Sequence, residues 1–339
     1  MNPRTRLSLH VETEKWPLKR PFRITGHTMH DCEVVVVNLT QDGLKGRGEA
    51  AGVYYLQDDV PAMVKRIESV RDSIEAGIDR EMLQSLLPAG GARNAVDCAL
   101  WDLDAKRMGK PAWELADLDT PRPLLTAHTV GAESPTDMAD WARSYTEAKF
   151  LKLKLTGEAI DADRIRAVRA ARKDVSLSVD ANQGFTRSSL QALLPVLTQA
   201  RVTLVEQPFP IGQDAQLDGF KFPIPIGADE SIQGLKDLPG LVGRFGVVNI
   251  KLDKCGGLTE GLAIAREARR LGLDVMVGNM TGTSLAMAPG YLVGQLCQVV
   301  DLDGPLFLSS DRTPAATFEG GKITCPEALW GAPLSKPSA

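Results

Sequence analysis

Cysteine is scarce in this 339-residue chain. Its five cysteines, Cys32, Cys98, Cys255, Cys297 and Cys325, are scattered, odd in number and form no CxxC pair. Such a set reads as reduced thiols in a cytoplasmic protein and excludes a disulfide framework. An excess of basic charge is also missing: 39 Lys and Arg stand against 43 Asp and Glu, a net charge of -4. That argues against a nucleic-acid binder, which would show a basic stripe. No apolar run approaches the ~20 residues of a membrane helix. The residues after Met1 are polar and basic, without the apolar core of a secretory signal. No GxGxxG follows an early strand, so the dinucleotide-binding fingerprint is absent.

What is present is a composition that builds a full core and stays soluble, 43% hydrophobic and 24% charged. The length suits one large or two ordinary domains. The N-terminal segment alternates as antiparallel β: "RLSLHVET", then "DCEVVVVNLTQDGLKGRGEA" with a turn at Asp42-Gly43. From about residue 59 the pattern becomes helical, and Gly109 with Pro111 closes the helix predicted from "ARNAVDCALWDLDAKRMG". Residues 117–123 read as a linker. Eight short apolar runs then alternate with amphipathic helices: 124–130, 150–155, 175–181, 202–207, 224–230, 246–252, 273–278 and 297–303. That alternation predicts an α/β protein with a β/α barrel, an open doubly wound sheet being the structural alternative. The tail from about residue 312 reads as β and is expected to return to the N-terminal sheet.

Charged residues keep the barrel's period. Lys154, Asp180, Glu206, Asp229, Lys251 and Asp301 fall at or just past the ends of predicted strands. In such barrels the C-terminal strand ends converge on one mouth. Asp180, Glu206 and Asp229 would bring three carboxylates together there, a donor set for a hard cation, Mg²⁺ first. Taken singly, each acid could equally be a helix cap or a solvated loop residue. Asn182 shares a face with Asp180, and Glu230 adjoins Asp229; both are expected to support the site. Lys251 points inward on its strand, whereas Lys254 reads as a surface lysine in the loop beyond. Lys154 and Lys251 lie on the second and sixth strands, across a closed eight-stranded barrel from each other. Two lysines flanking a cation suit a neutral lysine that takes a proton from carbon on one face and an ammonium that gives one on the other, through a metal-stabilised enediolate. Lys152 shares the face of Lys154, and this like-charge pair is expected to favour a neutral, basic Lys154. An exposed edge strand would also tolerate such a pair.

The KxK of Lys152 and Lys154, "VDAN", "VEQP", "GADES" and "IKLDKCGG" together resemble the enolase superfamily. Within it they resemble the muconate lactonizing enzyme subgroup, and "LPAGGARNAVDCALWDL" and "DLDGP" look closest to dipeptide epimerases of the L-Ala-D/L-Glu type. The resemblance covers essentially the whole chain. It implies an α+β capping domain over 1–118, a modified (β/α)₇β TIM-like barrel over 119–311, and a C-terminal segment, 312–339, that returns to complete the cap. It implies Mg²⁺ on Asp180, Glu206 and Asp229, acid/base lysines at Lys154 and Lys251, and a role in cell-wall peptide recycling. It implies a small dipeptide partner whose ammonium meets Asp301 and Asp303. Neither nucleic acid nor membrane is expected as a partner; a homo-oligomer is compatible with the sequence.

The chain departs from the resemblance in the early loop, "PFRITGHTMHDC", where the Glu-specific enzymes carry an arginine. Arg23 and His27 are the nearest basic residues and become candidates for the substrate side chain, with Asn279 and Met280 from "VGNMTGTS". The expected activity is inversion of the α-carbon of the second residue of an L,L-dipeptide, with glutamate or a neutral residue there. An N-acylamino acid racemase, o-succinylbenzoate synthase or cycloisomerase is the alternative within the superfamily. A Schiff-base lysine enzyme or a non-catalytic binding protein would need, respectively, one reactive lysine without a metal or an incomplete site.

Overall fold

The computed structural model describes residues 6–24 and 27–334; the side chains of Ile24 and His27 also lie outside the described set. Three antiparallel strands open the chain in the order β1 (Ser8–Ile24), β2 (His27–Gln41), β3 (Leu44–Ala50). Asp42 and Gly43 both take positive φ, 52° and 78°, the turn that matches the twist of a tight hairpin. The run Val34–Val37 is apolar throughout because both faces of β2 are covered. Val35, Val37 and Leu39 pack under the cap helices, while Val34 and Val36 join the core that continues into the second domain. The helix Gly91–Met108 lies directly on β3. A Cβ on Gly46 or Gly48 would overlap the carbonyl oxygens of Ala99 and Ala95, so only glycine permits that approach. The helix ends at Gly109, whose φ of 63° makes the left-handed cap.

The second domain is an eight-stranded parallel sheet in sequential order. Its strands are β5 (His128–Val130), β6 (Phe150–Lys154), β7 (Ser176–Asp180), β8 (Val202–Glu206), β9 (Ile226–Ala228), β10 (Val247–Lys251), β11 (Asp274–Gly278) and β12 (Val299–Val300). The first and last strands meet where the Ala127 amide donates to the Val300 carbonyl at 2.8 Å, so the sheet curls into the expected barrel. Inside, Leu204, Val247 and Met276 form an apolar layer. Two residues further along the same strands stand Glu206, Asn249 and Gly278, and parity therefore carries the polar groups up to the C-terminal mouth.

Two details differ from the sequence expectation. The stretch 124–130 divides: Leu124–Leu125 forms a separate strand, β4, and only His128–Val130 enters the barrel. The tail hairpin, β13 (Thr317–Glu319) and β14 (Lys322–Thr324), pairs with β4 and not with the N-terminal sheet. The tail reaches the cap by side chains and single amides instead. The Trp330 indole donates to the Arg47 carbonyl at 2.9 Å, and the Gly331 amide donates to Asp102 at 2.9 Å.

Candidate active site

Asp180 and Glu206 end β7 and β8, Asp229 follows the end of β9, and each offers a carboxylate oxygen within 4.8 Å of the others. All three are buried. Lys152 Nζ sits between them, 3.1 Å from Asp180 Oδ2, 2.8 Å from Glu206 Oε2 and 2.9 Å from Asp301 Oδ2. Lys154 Nζ donates to Asp180 Oδ2 at 2.6 Å, and Lys251 Nζ donates to Asp229 Oδ2 at 2.6 Å. The other oxygen of Asp229 lies 2.5 Å from Lys254 Nζ, which also donates to the Asp229 carbonyl.

The cluster holds four buried lysines (Lys152, Lys154, Lys251, Lys254) and six buried carboxylates (Asp180, Glu206, Asp229, Glu230, Asp301, Asp303). Four against six leaves two negative charges, which a divalent cation would balance. Three of these carboxyls register this excess. Burial, then Asp180, pushes Glu206 up to about 8. Burial, then Asp229, pushes Glu230 up to about 7, and burial with Asp301 does the same to Asp303, also to about 7. Burial would raise Asp180 too, but Lys154 and Lys152 outweigh it and hold the group at about 2. Glu206 Oε2 has no aligned hydrogen-bond donor, although Lys152 is close. An all-oxygen set with an orphaned buried carboxylate oxygen fits a hard cation.

Lys152 departs from its expected role. Burial alone would strip its proton, yet Asp301, Glu206 and Asp180 outweigh burial and hold it as an ammonium. It neutralises the carboxylate cluster and does not confront Lys154 as an uncompensated like charge. Lys254 departs as well: it is 2% exposed, not a surface residue, because the one-turn helix Leu252–Cys255 folds it back over the strand end. The KxxK spacing at a strand-to-helix junction was its only sequence signal.

Further supports lay beyond sequence reasoning. Asn249 Nδ2 donates to Glu206 Oε1 at 2.8 Å. Gln207 Oε1 accepts the Asp229 and Ser231 amides at 2.9 and 3.1 Å. At Gly278 a Cβ would stand 2.7 Å from Asn249 Oδ1 and 3.1 Å from Lys251 Cε, so glycine keeps room for the lysine. Asn182 takes its expected place: its amide donates to Asp180 Oδ1 at 2.9 Å, and Nδ2 lies 3.4 Å from Glu230 Oε1.

One cavity opens over this cluster, lined by Lys154, Lys251, Asp229, Glu230, Asn182, Asn279, Met280 and Thr281 from the barrel. Phe22, Met29, Tyr54 and Tyr55 cover it from the cap. The structure thus brings Asn279 and Met280 to the cavity as expected. Arg23 is exposed, on the strand face opposite the buried Phe22, and does not line it. The His27 side chain lies outside the described residues. Asp301 and Asp303 stand deeper, 4% and 2% exposed; Asp303 Oδ2 accepts the Thr129 amide at 2.6 Å.

Residues 137–329 match the model for the enolase C-terminal domain-like family, and residues 6–116 match the mandelate racemase / muconate lactonizing enzyme N-terminal domain. The chain belongs to the enolase superfamily. It is 41% identical over 318 residues to L-Ala-D/L-Glu epimerase of Escherichia coli (strain K12), covering 93% of this chain and 99% of that protein. It is 37% identical over 301 residues to N-acetyl-D-glutamate racemase of a Pseudoalteromonas species, covering 88% of this chain and 95% of that one. Among solved structures it matches an enolase family member from Agrobacterium tumefaciens with homology to dipeptide epimerases, which holds sodium and L-Ala-L-Glu. The TM-score is 0.93 at 40% identity, covering 96% of this chain and 100% of that one. The chain is an isomerase of the racemase and epimerase class.

Proposed function

We propose that the chain is a dipeptide epimerase that inverts the α-carbon of the second residue, one lysine taking the α-proton while a second lysine delivers its own proton to the opposite face. The observation that carries this reading is the placing of Lys154 and Lys251, on β6 and β10, in the lining of one cavity with the carboxylate triad between them. Asp180, Glu206 and Asp229 would hold Mg²⁺, which when bound supplies electrophilic stabilisation of the substrate carboxylate as negative charge develops. The lysine that faces the α-hydrogen removes it, and the one on the far wall returns a proton to the opposite face. Asp180 and Asp229 orient the two lysine side chains, the neutral amine that takes the proton and the ammonium that gives one, through bonds of 2.6 Å each. The cap residues Phe22, Met29 and Tyr54 keep water from the exposed carbanionic carbon. Asp303, raised to about 7 with Asp301 beside it, favours a cation, which the free ammonium of a dipeptide would supply.

An N-acylamino acid racemase is the second reading. It is favoured by the absence of Asp301 and Asp303 from the cavity lining and by the engagement of Asp301 with Lys152. The test is proton exchange in D₂O with Mg²⁺, read by mass spectrometry as a one-dalton gain, on L-Ala-L-Xaa dipeptides and on N-acetylamino acids. Exchange with free dipeptides supports the epimerase. Exchange confined to the N-acetyl compounds would replace it with the racemase, and exchange with neither would refute both.

A further inference from the structure

The cap turn over the cavity is held at both ends by carboxylates. Gly52, at its entrance, has φ +75°, and a Cβ there would overlap the Asp58 carbonyl oxygen. Val53 and Asp58 then exchange backbone hydrogen bonds of 3.1 and 3.3 Å, closing the loop on itself around the short helix Tyr54–Leu56. At the far end, Asp58 Oδ2 accepts the Gly91 amide at 2.7 Å and its other oxygen pairs with Arg66, so this anchor belongs to the cap. The near anchor belongs to the barrel. Asp253 Oδ1 accepts the Ala51 and Gly52 amides at 2.9 Å each. Asp253 is 6% exposed and stands two residues past Lys251, in the turn that leaves the catalytic strand.

Between the anchors, Tyr54 and Tyr55 stack edge to face, with centroids 5.2 Å apart, and both line the cavity with Lys154 and Lys251. The Tyr55 hydroxyl is buried and has no hydrogen-bond partner. Buried polar groups are rarely left so, and one that lines a substrate cavity implies a partner that arrives with the substrate. Burial raises its ionisation far above the ordinary phenol value, with Asp229 and Glu230 adding to the effect, so it remains a donor.

We propose that the Tyr55 hydroxyl donates a hydrogen bond to the bound substrate, and that Asp253 is the positioning residue that fixes this hydroxyl over the barrel mouth. The inference rests on the epimerase reading for the identity of the substrate. A residue next to the acid/base lysine thereby sets the place of a group contributed by the other domain.

The experiment uses the full-length Mg²⁺-loaded enzyme and the L-Ala-L-Xaa dipeptide that the wild type exchanges fastest. Tyr55→Phe keeps the ring and the anchor and is expected to lower kcat/KM about tenfold, mainly through KM. Asp253→Ala, which removes the acceptor for two amides, is expected to lose at least as much. Asp253→Asn, which retains an acceptor oxygen, restores most of that loss. The double variant Y55F/D253A is expected to be no worse than D253A, because the anchor acts through the hydroxyl. The Mg²⁺ dissociation constant, measured by calorimetry, stays within about twofold of wild type, which a collapsed site would not allow. Wild-type kinetics in Tyr55→Phe, or fully multiplicative losses in the double variant, would overturn the assignment while leaving the epimerase reading intact. A wild-type enzyme that exchanges no dipeptide would overturn both.

Discussion

Arg312→Met tests the joint where three parts of the chain meet. Arg312 comes from the tail and lies 2.5 Å from Glu49 Oε2 on β3 and 2.8 Å from Glu14 Oε2 on β1. Its Nε also donates to Thr283 Oγ1, past the end of β11, at 2.7 Å. The Glu49 carboxylate is fully buried and accepts the Thr283 amide at 2.8 Å as well. Removing one partner of a buried ion pair costs about 3–5 kcal/mol because the other charge stays buried. Thr283 still serves Glu49 after the substitution, so the lower end, about 3 kcal/mol, is expected, against a typical total of about 5–15. Burial already raises the Glu49 pKa against the pull of Arg312, and without the guanidinium it rises further. A folded-state pKa above the unfolded value means the folded state holds its proton longer. That contribution is present below the unfolded value, about 4.3, and is lost as pH rises through the folded one. The variant's deficit should therefore be larger at about pH 8 than at about pH 5.5, because acidification favours the protonated form of the buried acid. Urea unfolding of wild type and variant at both pH values, followed by circular dichroism, measures it. A deficit below about 1 kcal/mol near pH 8, or one that grows on acidification, would refute the buried-charge reasoning.

Lys154→Ala and Lys251→Ala are each expected to abolish epimerisation, while one of them keeps partial α-proton exchange of a single isomer in D₂O. Full epimerase activity in either would rule out the two-lysine mechanism. Mg²⁺ is expected to stabilise the protein against heat, by about 2.7 kcal/mol at one hundred times its dissociation constant. Asp229→Asn should lose most of that stabilisation, since it removes one of the three oxygens grouped within 4.8 Å. An identical rise in Tm for wild type and variant would place the cation elsewhere.

Two periodicities made much of this legible. The β/α repeat spaced the charged strand ends, and the two-residue strand period separated Lys154 and Lys251 from their outward neighbours. The register Lys154↔Asp180 and Asp180↔Glu206 now seen between β6, β7 and β8 is the same regularity in three dimensions. Local pattern also foretold the Asp42-Gly43 hairpin and the Gly109 cap, because turns and helix ends depend on backbone freedom at single residues. What remained hidden depends on partners far along the chain. Asp253 meets Ala51 across 202 residues, and Glu49 meets Thr283 across 234. Nothing local distinguishes Asp253 from a helix-start aspartate, or Glu49 from an exposed strand glutamate. Lys152 shows the same limit from the other side. Its neighbour in sequence is Lys154, which suggested repulsion, but its neighbours in space are Asp180 and Glu206 on two other strands and Asp301 just past a third, and they decide its charge. Which strand residues stand at the barrel mouth was therefore readable one strand at a time. The electrostatics of the mouth and the fastening of the cap became readable only when the strands closed around a common centre.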